Sequence, residues 1–280
     1  MLKALTRRGL GDVPLYVCVA VLLAVLLMAI SAPILTHLDP LHISPRQRLR
    51  PPSDQFLFGT DMFGRDVWTR IVYGARTTLF VSFCVVVVSV GVGLFVGLLS
   101  GYVRWLDNVT MRVMDGIMAI PGILLAIAFV SVSGAGLFTV IFAIAIPEIP
   151  RVARLVRSVV LSIREEPYVE AAIGVGTPRI ITVIRHVLPN AVPPLIVQGT
   201  YIFASAMLIE ATLSFIGAGL PTEIPTWGNI IADGRTVFQR SPWIILYPGA
   251  FLAITILCVN VLGDALRDTL DPRTAKRVSR

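Results

Sequence analysis

Charged residues are absent from several stretches of this chain that are each long enough to cross a lipid bilayer. No Asp, Glu, Lys or Arg lies between Asp12 and Asp39, between Arg76 and Arg104, or between Asp115 and Glu148. A spanning helix needs about 20 apolar residues to cover about 30 Å of hydrocarbon. Hydrophobic residues make up 55% of the sequence, charged residues only 15%, and the mean hydropathy is +0.81. A soluble domain of this length needs far more polar surface. The expectation is an all-α integral membrane protein.

The runs place helix one at about 14–35 and helix two at 77–103, a stretch of 27 residues that fits one tilted span. The run of 32 residues after Asp115 contains Ser131-Val-Ser-Gly-Ala-Gly136. That turn signal splits it into a third helix before Ser131 and a fourth after Gly136. The fourth has only Leu137 to Pro147 before Glu148, so it must carry Glu148 and Arg151 within its length. Helix five is expected at 192–215 and helix six at 244–262. The apolar run after the N-terminal basic residues is too long for a signal sequence and has no small-residue cleavage site, so it reads as a retained span.

Six spans put both termini on one side. Segments assigned inside carry 16 Arg and Lys, and those assigned outside carry 8. This bias places both termini in the cytoplasm. The chain divides into residues 1–36 (cytoplasmic N-terminus and first span), 37–76 (an extracytoplasmic loop), 77–265 (a core with a cytoplasmic loop at 162–190) and 266–280 (a cytoplasmic tail). The six Arg of the first outside loop run against the rule, which weighs long loops less.

The same topology accounts for the net charge of +7 without nucleic acid, and no aromatic-and-basic groove pattern accompanies it. Cys18, Cys84 and Cys258 sit in apolar runs and read as packing residues. His37, His42 and His186 fall on different segments, with no ligand cluster for a metal. No Ser-His-acid set is present, so an enzyme reading has no support. A P-loop ends in Gly-Lys-Ser/Thr. The only lysines, Lys3 and Lys276, follow Leu2 and Ala275, so the chain cannot power itself through a P-loop.

The stretch Glu165-Glu-Pro-Tyr-Val-Glu-Ala-Ala-Ile-Gly-Val-Gly-Thr-Pro-Arg179, continuing to Arg185-His-Val-Leu-Pro-Asn190, is the most informative. Pro167 suits the first turn of a short helix, and Gly176 suits its end. A second amphipathic helix up to Pro189 is expected. A rigid knob of this kind between two spans fits a groove on another protein, whereas a plain linker of this length would be unusual.

Glu170-Ala-Ala-Ile-Gly-Val-Gly176, with Leu188-Pro189 at the expected distance, resembles the EAA loop of ABC-importer permeases. His186-Val-Leu-Pro-Asn190 is similar to the form found in the dipeptide/oligopeptide/nickel branch (the DppC/OppC type), where most other permeases have Ile in place of His186. Gly59-Thr-Asp-Met-Phe-Gly-Arg-Asp66 with Tyr73-Gly-Ala-Arg76, then Arg112-Val-Met-Asp115 with Pro121, then Glu210-Ala-Thr-Leu-Ser-Phe-Ile-Gly217 with Pro225-Thr-Trp-Gly228, extend the resemblance over about residues 56–270.

The resemblance implies a type I ABC importer permease fold in a bacterial inner membrane. It also implies transport of peptides, with nickel or another small solute as the alternative. Glu170, Ala171 and Ala172 would form the ATPase-docking surface and Gly176 its turn, with His186, Leu188 and Pro189 closing the loop. The implied partners are a second related permease, two ATPase subunits, separate or fused, and an extracytoplasmic binding protein. No cofactor is expected in this chain, since ATP and Mg belong to the ATPases.

Asp115, Glu148 and Glu210 are candidates for the translocation path or its gate, because acids within spans are costly and usually functional. Against that stand two structural readings. Glu148 would pair with Arg151 or Arg154, and Glu210 would sit near the outer interface, reached by water and bonding the following loop. Gly93, Gly97 and Gly101 read as a close-packing face, here or against a partner. Pro147 and Pro150 read as a bend in helix four. A secondary transporter would show inverted repeats, which are absent, and a structural or insertase-like protein would not need the knob. The Arg-rich first outside loop reads as a contact for the binding protein.

Overall fold

The computed structural model describes residues 13–270. The basic residues Lys3, Arg7 and Arg8, and those beyond Leu270, on which part of the orientation rests, lie outside the described residues. Within them the chain is helical, with no strand beyond an isolated bridge between Thr60 and Asp66.

Helix α1 covers Val13–Ile30 and continues as one further turn at Ala32–Leu35. Helix α2 covers Val67–Tyr102 and so begins ten residues before the uncharged run. The loop expected over 37–76 therefore ends at Asp66, which caps α2 by accepting from the Thr69 N–H at 2.8 Å. Sequence reading placed the start late because Arg70 and Arg76 interrupt the apolar pattern. Arg70 is in fact sealed inside an ion network, and Arg76 lies on the surface.

Helices α3 (Arg104–Met118) and α4 (Gly122–Ser133) meet at an 88° bend. Pro121 stands at this corner. Gly134, at φ +81°, ends α4, and α5 runs over Leu137–Arg164. The break expected between Ser131 and Gly136 is present. Helix α5 is continuous through Pro147 and Pro150. It carries Glu148, Arg151 and Arg154 in its first 18 residues, so composition alone does not mark it as a span.

Helices α2 and α5 lie side by side in the same direction. A Cβ added at Gly93 would stand 2.5 Å from Val152 Cβ, one at Gly97 2.6 Å from Val156 Cβ, and one at Gly101 2.6 Å from Val160 Cβ. The small-residue face therefore packs within this chain, with valine knobs of α5 against bare backbone of α2.

Helix α6 (Pro167–Gly174) stands between α5 and the next long helix. A second amphipathic helix ending at Pro189 is not what forms. Arg179–Thr182 passes through a π-helical turn, Val183–Val187, straight into α7, Leu188–Ile216. The Leu188 N–H reaches back to the Val183 carbonyl, a five-residue step. Proline lacks an N–H and crowds the carbonyl four residues before it. The widened turn just ahead of Pro189 lets the helix absorb the proline instead of stopping.

Helix α8 (Trp227–Gly234) lies between the helices expected at 192–215 and 244–262, where none was expected, and α9 spans Trp243–Leu270. The helix expected at 244–262 thus extends into the polar tail. By length and apolarity α1, α2, Ile180–Ile216 and α9 can cross a membrane, with the bent α3–α4 pair as a fifth candidate. One hydrophobic cluster joins α2, α4, α5 and α7 around Val81, Ile144 and Val156. A second joins α1, α2, α7, α8 and α9 around Trp227.

Candidate functional site

Helix α6 is built as a free-standing knob. Pro167 occupies its first turn, and Val169 is its buried side chain. It ends in a Schellman stop, with Gly176 at φ +86°. The Gly176 N–H donates to Ile173 O at 2.9 Å and the Thr177 N–H to Ala172 O at 3.0 Å. A Cβ at Gly176 would meet nothing within 4 Å, so glycine is needed there for its backbone angle and not for space.

Glu170 and Ala171 are exposed on this knob and Ala172 is half-buried. Around them stand apolar side chains that a water-facing segment would normally hide. Val175 is 88% exposed, with Tyr168 and Ile173 also open. The ring of His186, half-buried, lies 5.7 Å from that of Tyr168 and ties the π turn to α6. Leu188 is half-buried and Pro189 exposed at the start of α7.

The three acids proposed for a path or gate do not share a site. Asp115 bonds Arg154, and both are exposed. Glu148 is buried and accepts from Arg151 Nη1 with both oxygens, each at 3.0 Å. Asp107, which sequence reading passed over, takes Arg157 in a fork at 2.5 and 2.6 Å. Arg154 and Arg157 thus clamp α3 onto α5.

Glu210 bonds the following loop as expected, but it is buried, 1% exposed, and not open to bulk solvent. Its Oε1 accepts from Ser214 and Thr226, each at 2.9 Å, while Oε2 has no partner. Thr226 also caps α8 by accepting from the Asn229 N–H at 3.0 Å. Trp227 is fully buried and donates through Nε1 to Ile71 O of α2 at 3.0 Å. A Cβ on Gly228 would come 2.7 Å from Ala211 Cα, so the loop presses directly onto α7.

The segment Gly59–Asp66 forms the matching half of this outer structure. Asp61, fully buried, accepts from the N–H groups of Phe63 and Arg65 at 2.8 and 2.9 Å. Its Oδ2 takes Arg65 Nε at 2.6 Å and Arg70 Nη1 at 2.9 Å. Both arginines then reach Asp233 of α8, each at 2.8 Å. Two acids and two guanidiniums form a neutral buried cluster joining the first loop, α2 and α8. Sequence reading did not find it. The available signal was a pair of arginines bracketing the start of an apolar run, with an acid four residues before the first.

A family model described as "Binding-protein-dependent transport system inner membrane component" matches residues 89–276. The chain belongs to that family. Among relatives of these inner-membrane components, a probable peptide ABC transporter permease of Sinorhizobium fredii is 51% identical over 90% of this chain and 86% of its own length. The dipeptide transport permease DppC of Alkalihalophilus pseudofirmus is 44% identical over 89% and 82%. OppC of Bacillus subtilis, an oligopeptide transport permease, is 34% identical over 91% and 84%.

The fold resembles a chain of the MetNI methionine ABC transporter in an inward-facing form. Its TM-score is 0.59 at 21% identity, over 72% of this chain and 96% of that one. The type I importer permease fold and the inner-membrane location are thereby established. As a component of a binding-protein-dependent ABC importer, the chain works with an ATPase and a substrate-binding protein.

Proposed function

We propose that this permease forms half of a translocation path for peptides and that α6 couples it to ATP hydrolysis in partner subunits. The observation that carries the coupling role is the exposed apolar rim of a helix that ends in the Gly176 stop. An open patch of this kind beside Glu170 marks a protein contact. Glu170, Ala171 and Ala172 form the docking surface, and Gly176 sets its end. Tyr168 and His186 pass its displacement to α7, whose far end carries Glu210. The peptide substrate rests on the relatives' names, and nickel or another small solute is the alternative. The complex would hold a second permease and two ATPase subunits, with ATP and Mg bound there.

The chain would make six spans with both termini cytoplasmic. The six basic residues expected outside supply support, because two of them, Arg65 of the loop and Arg70 of α2, are neutralised by Asp61 and Asp233. The exposed Arg46, Arg48 and Arg50 would face the binding protein.

The test is Gly176→Val in the reconstituted importer. Holding a branched residue at positive φ costs about 1–2 kcal/mol, and the strain is expected to unwind the stop. Peptide uptake should fall at least tenfold while the permease stays in the membrane. Wild-type uptake with normal ATPase stimulation would remove the coupling assignment.

A further inference from the structure

A cleft of about 910 Å³ opens between α1, α2, α7 and α9, with no residue of the knob or of the outer ion cluster in its lining. Its walls are apolar almost throughout, with Val25, Ala29, Phe80, Phe83, Leu195 and Phe203 among them. Two hydroxyls reach it, and both are satisfied within their own helices. Thr200 donates to Val197 O at 2.8 Å and Thr255 to Phe251 O at 2.7 Å.

Arg76 is the single charged residue in the lining. It is exposed, and no hydrogen bond or ion pair joins it to another described residue. It stands where the uncharged stretch of α2 begins, at the end of the bundle opposite α6. Along α2 the cleft runs from Arg76 to Val90, a rise of roughly 21 Å at 1.5 Å per residue. One leaflet of hydrocarbon is about 15 Å deep.

We propose that this cleft holds an acidic phospholipid, with its phosphate on the Arg76 guanidinium and an acyl chain along Phe80, Phe83 and Val86. A guanidinium at the edge of hydrocarbon requires an anion or water, and its planar fork matches a phosphate. An apolar helix of another subunit would satisfy the walls but would offer no anion to Arg76. A diacyl chain with a phosphate satisfies both with one molecule. The site rests on the membrane-spanning reading alone and not on the coupling role of α6.

The test uses the complete importer, purified in mild detergent from its own membrane, with mass spectrometry of the lipid it retains. Wild type should retain phosphatidylglycerol or another acidic phospholipid. Arg76→Gln should lower that retention about tenfold, the worth of roughly 1.4 kcal/mol, whereas Arg46→Gln on the outer loop should not. Gly199→Phe, placed where a Cβ would stand 3.5 Å from Val86, fills the cleft and should lower retention with Arg76 intact. A photoactivatable phosphatidylglycerol should label Phe80 or Phe203. Equal retention by Arg76→Gln, or a Phe80→Cys variant that cross-links to another polypeptide, would overturn the proposal. Peptide uptake unchanged in Arg76→Gln separates this site from the coupling mechanism.

Discussion

Asp61 shows how much one side chain can organise. Its carboxylate holds two backbone N–H groups and two guanidiniums, and it is sealed from solvent. Removing one partner from a buried ion cluster costs about 3–5 kcal/mol, because the remaining charges stay buried. Asp61→Ala should therefore lower the thermal midpoint of the purified permease far more than loss of an exposed acid such as Asp54. Thr226→Val strips both the α8 cap and a donor to Glu210, and should cost about 1–3 kcal/mol in the same assay. The segment Gly59–Asp66 was recognisable in sequence as a pattern, but its physics was not. Asp233, the acid that completes it, lies 163 residues after Arg70, and no local period links the two. The Schellman stop at Gly176 was legible, because a helix end is written in adjacent residues.

Helices were legible wherever a run of uncharged residues forced them. The break at Gly134–Gly136 followed from its turn signal, and the continuation of α5 past Glu148 from counting. What failed was the assumption that charge ends a membrane helix. Arg70 hides its charge in a cluster and Arg76 lies on the surface, so α2 begins at Val67. Proline misled in the same way at Pro189, where a π turn carries the chain through. Helix α8 was missed because eight residues in a polar loop leave no period to read. The α2–α5 seam gives a prediction at this scale. Gly97→Leu places a side chain where Val156 and the Ala153 carbonyl already stand, 2.6 Å from a first carbon. Overpacking typically costs about 1–3 kcal/mol. The separation it forces should lower ATP-driven uptake even where the protein is recovered at normal yield, and unchanged uptake would show that α2 and α5 need not move together.

At the scale of the molecule, the two hydrophobic clusters divide the labour. One packs α2, α5 and α7 toward the knob, and the other packs α1, α8 and α9 around Trp227. Helices α2 and α7 belong to both, so the two halves of the bundle pack as one continuous body. A charge-removed loop variant, with Arg46, Arg48 and Arg50 all changed to Gln, should weaken binding-protein association in a salt-dependent way, since exposed charges act within a Debye length of about 8 Å at physiological salt. Equal association of variant and wild type at low ionic strength would leave the loop with a purely architectural role.

The buried Asp61–Arg65–Arg70–Asp233 cluster also sets an order of events during biogenesis. When Arg70 leaves the ribosome, Asp233 has not been made, and at about 5–20 residues per second it follows roughly 8–33 s later. Through that interval Arg65 and Arg70 outnumber Asp61 within the nascent chain's outer cluster. Only the arrival of α8 balances them and closes the first loop over the bundle. A nascent chain stalled before Asp233 should therefore expose its first loop to protease, and one stalled after α9 should protect it, which makes a single late aspartate the timer of assembly.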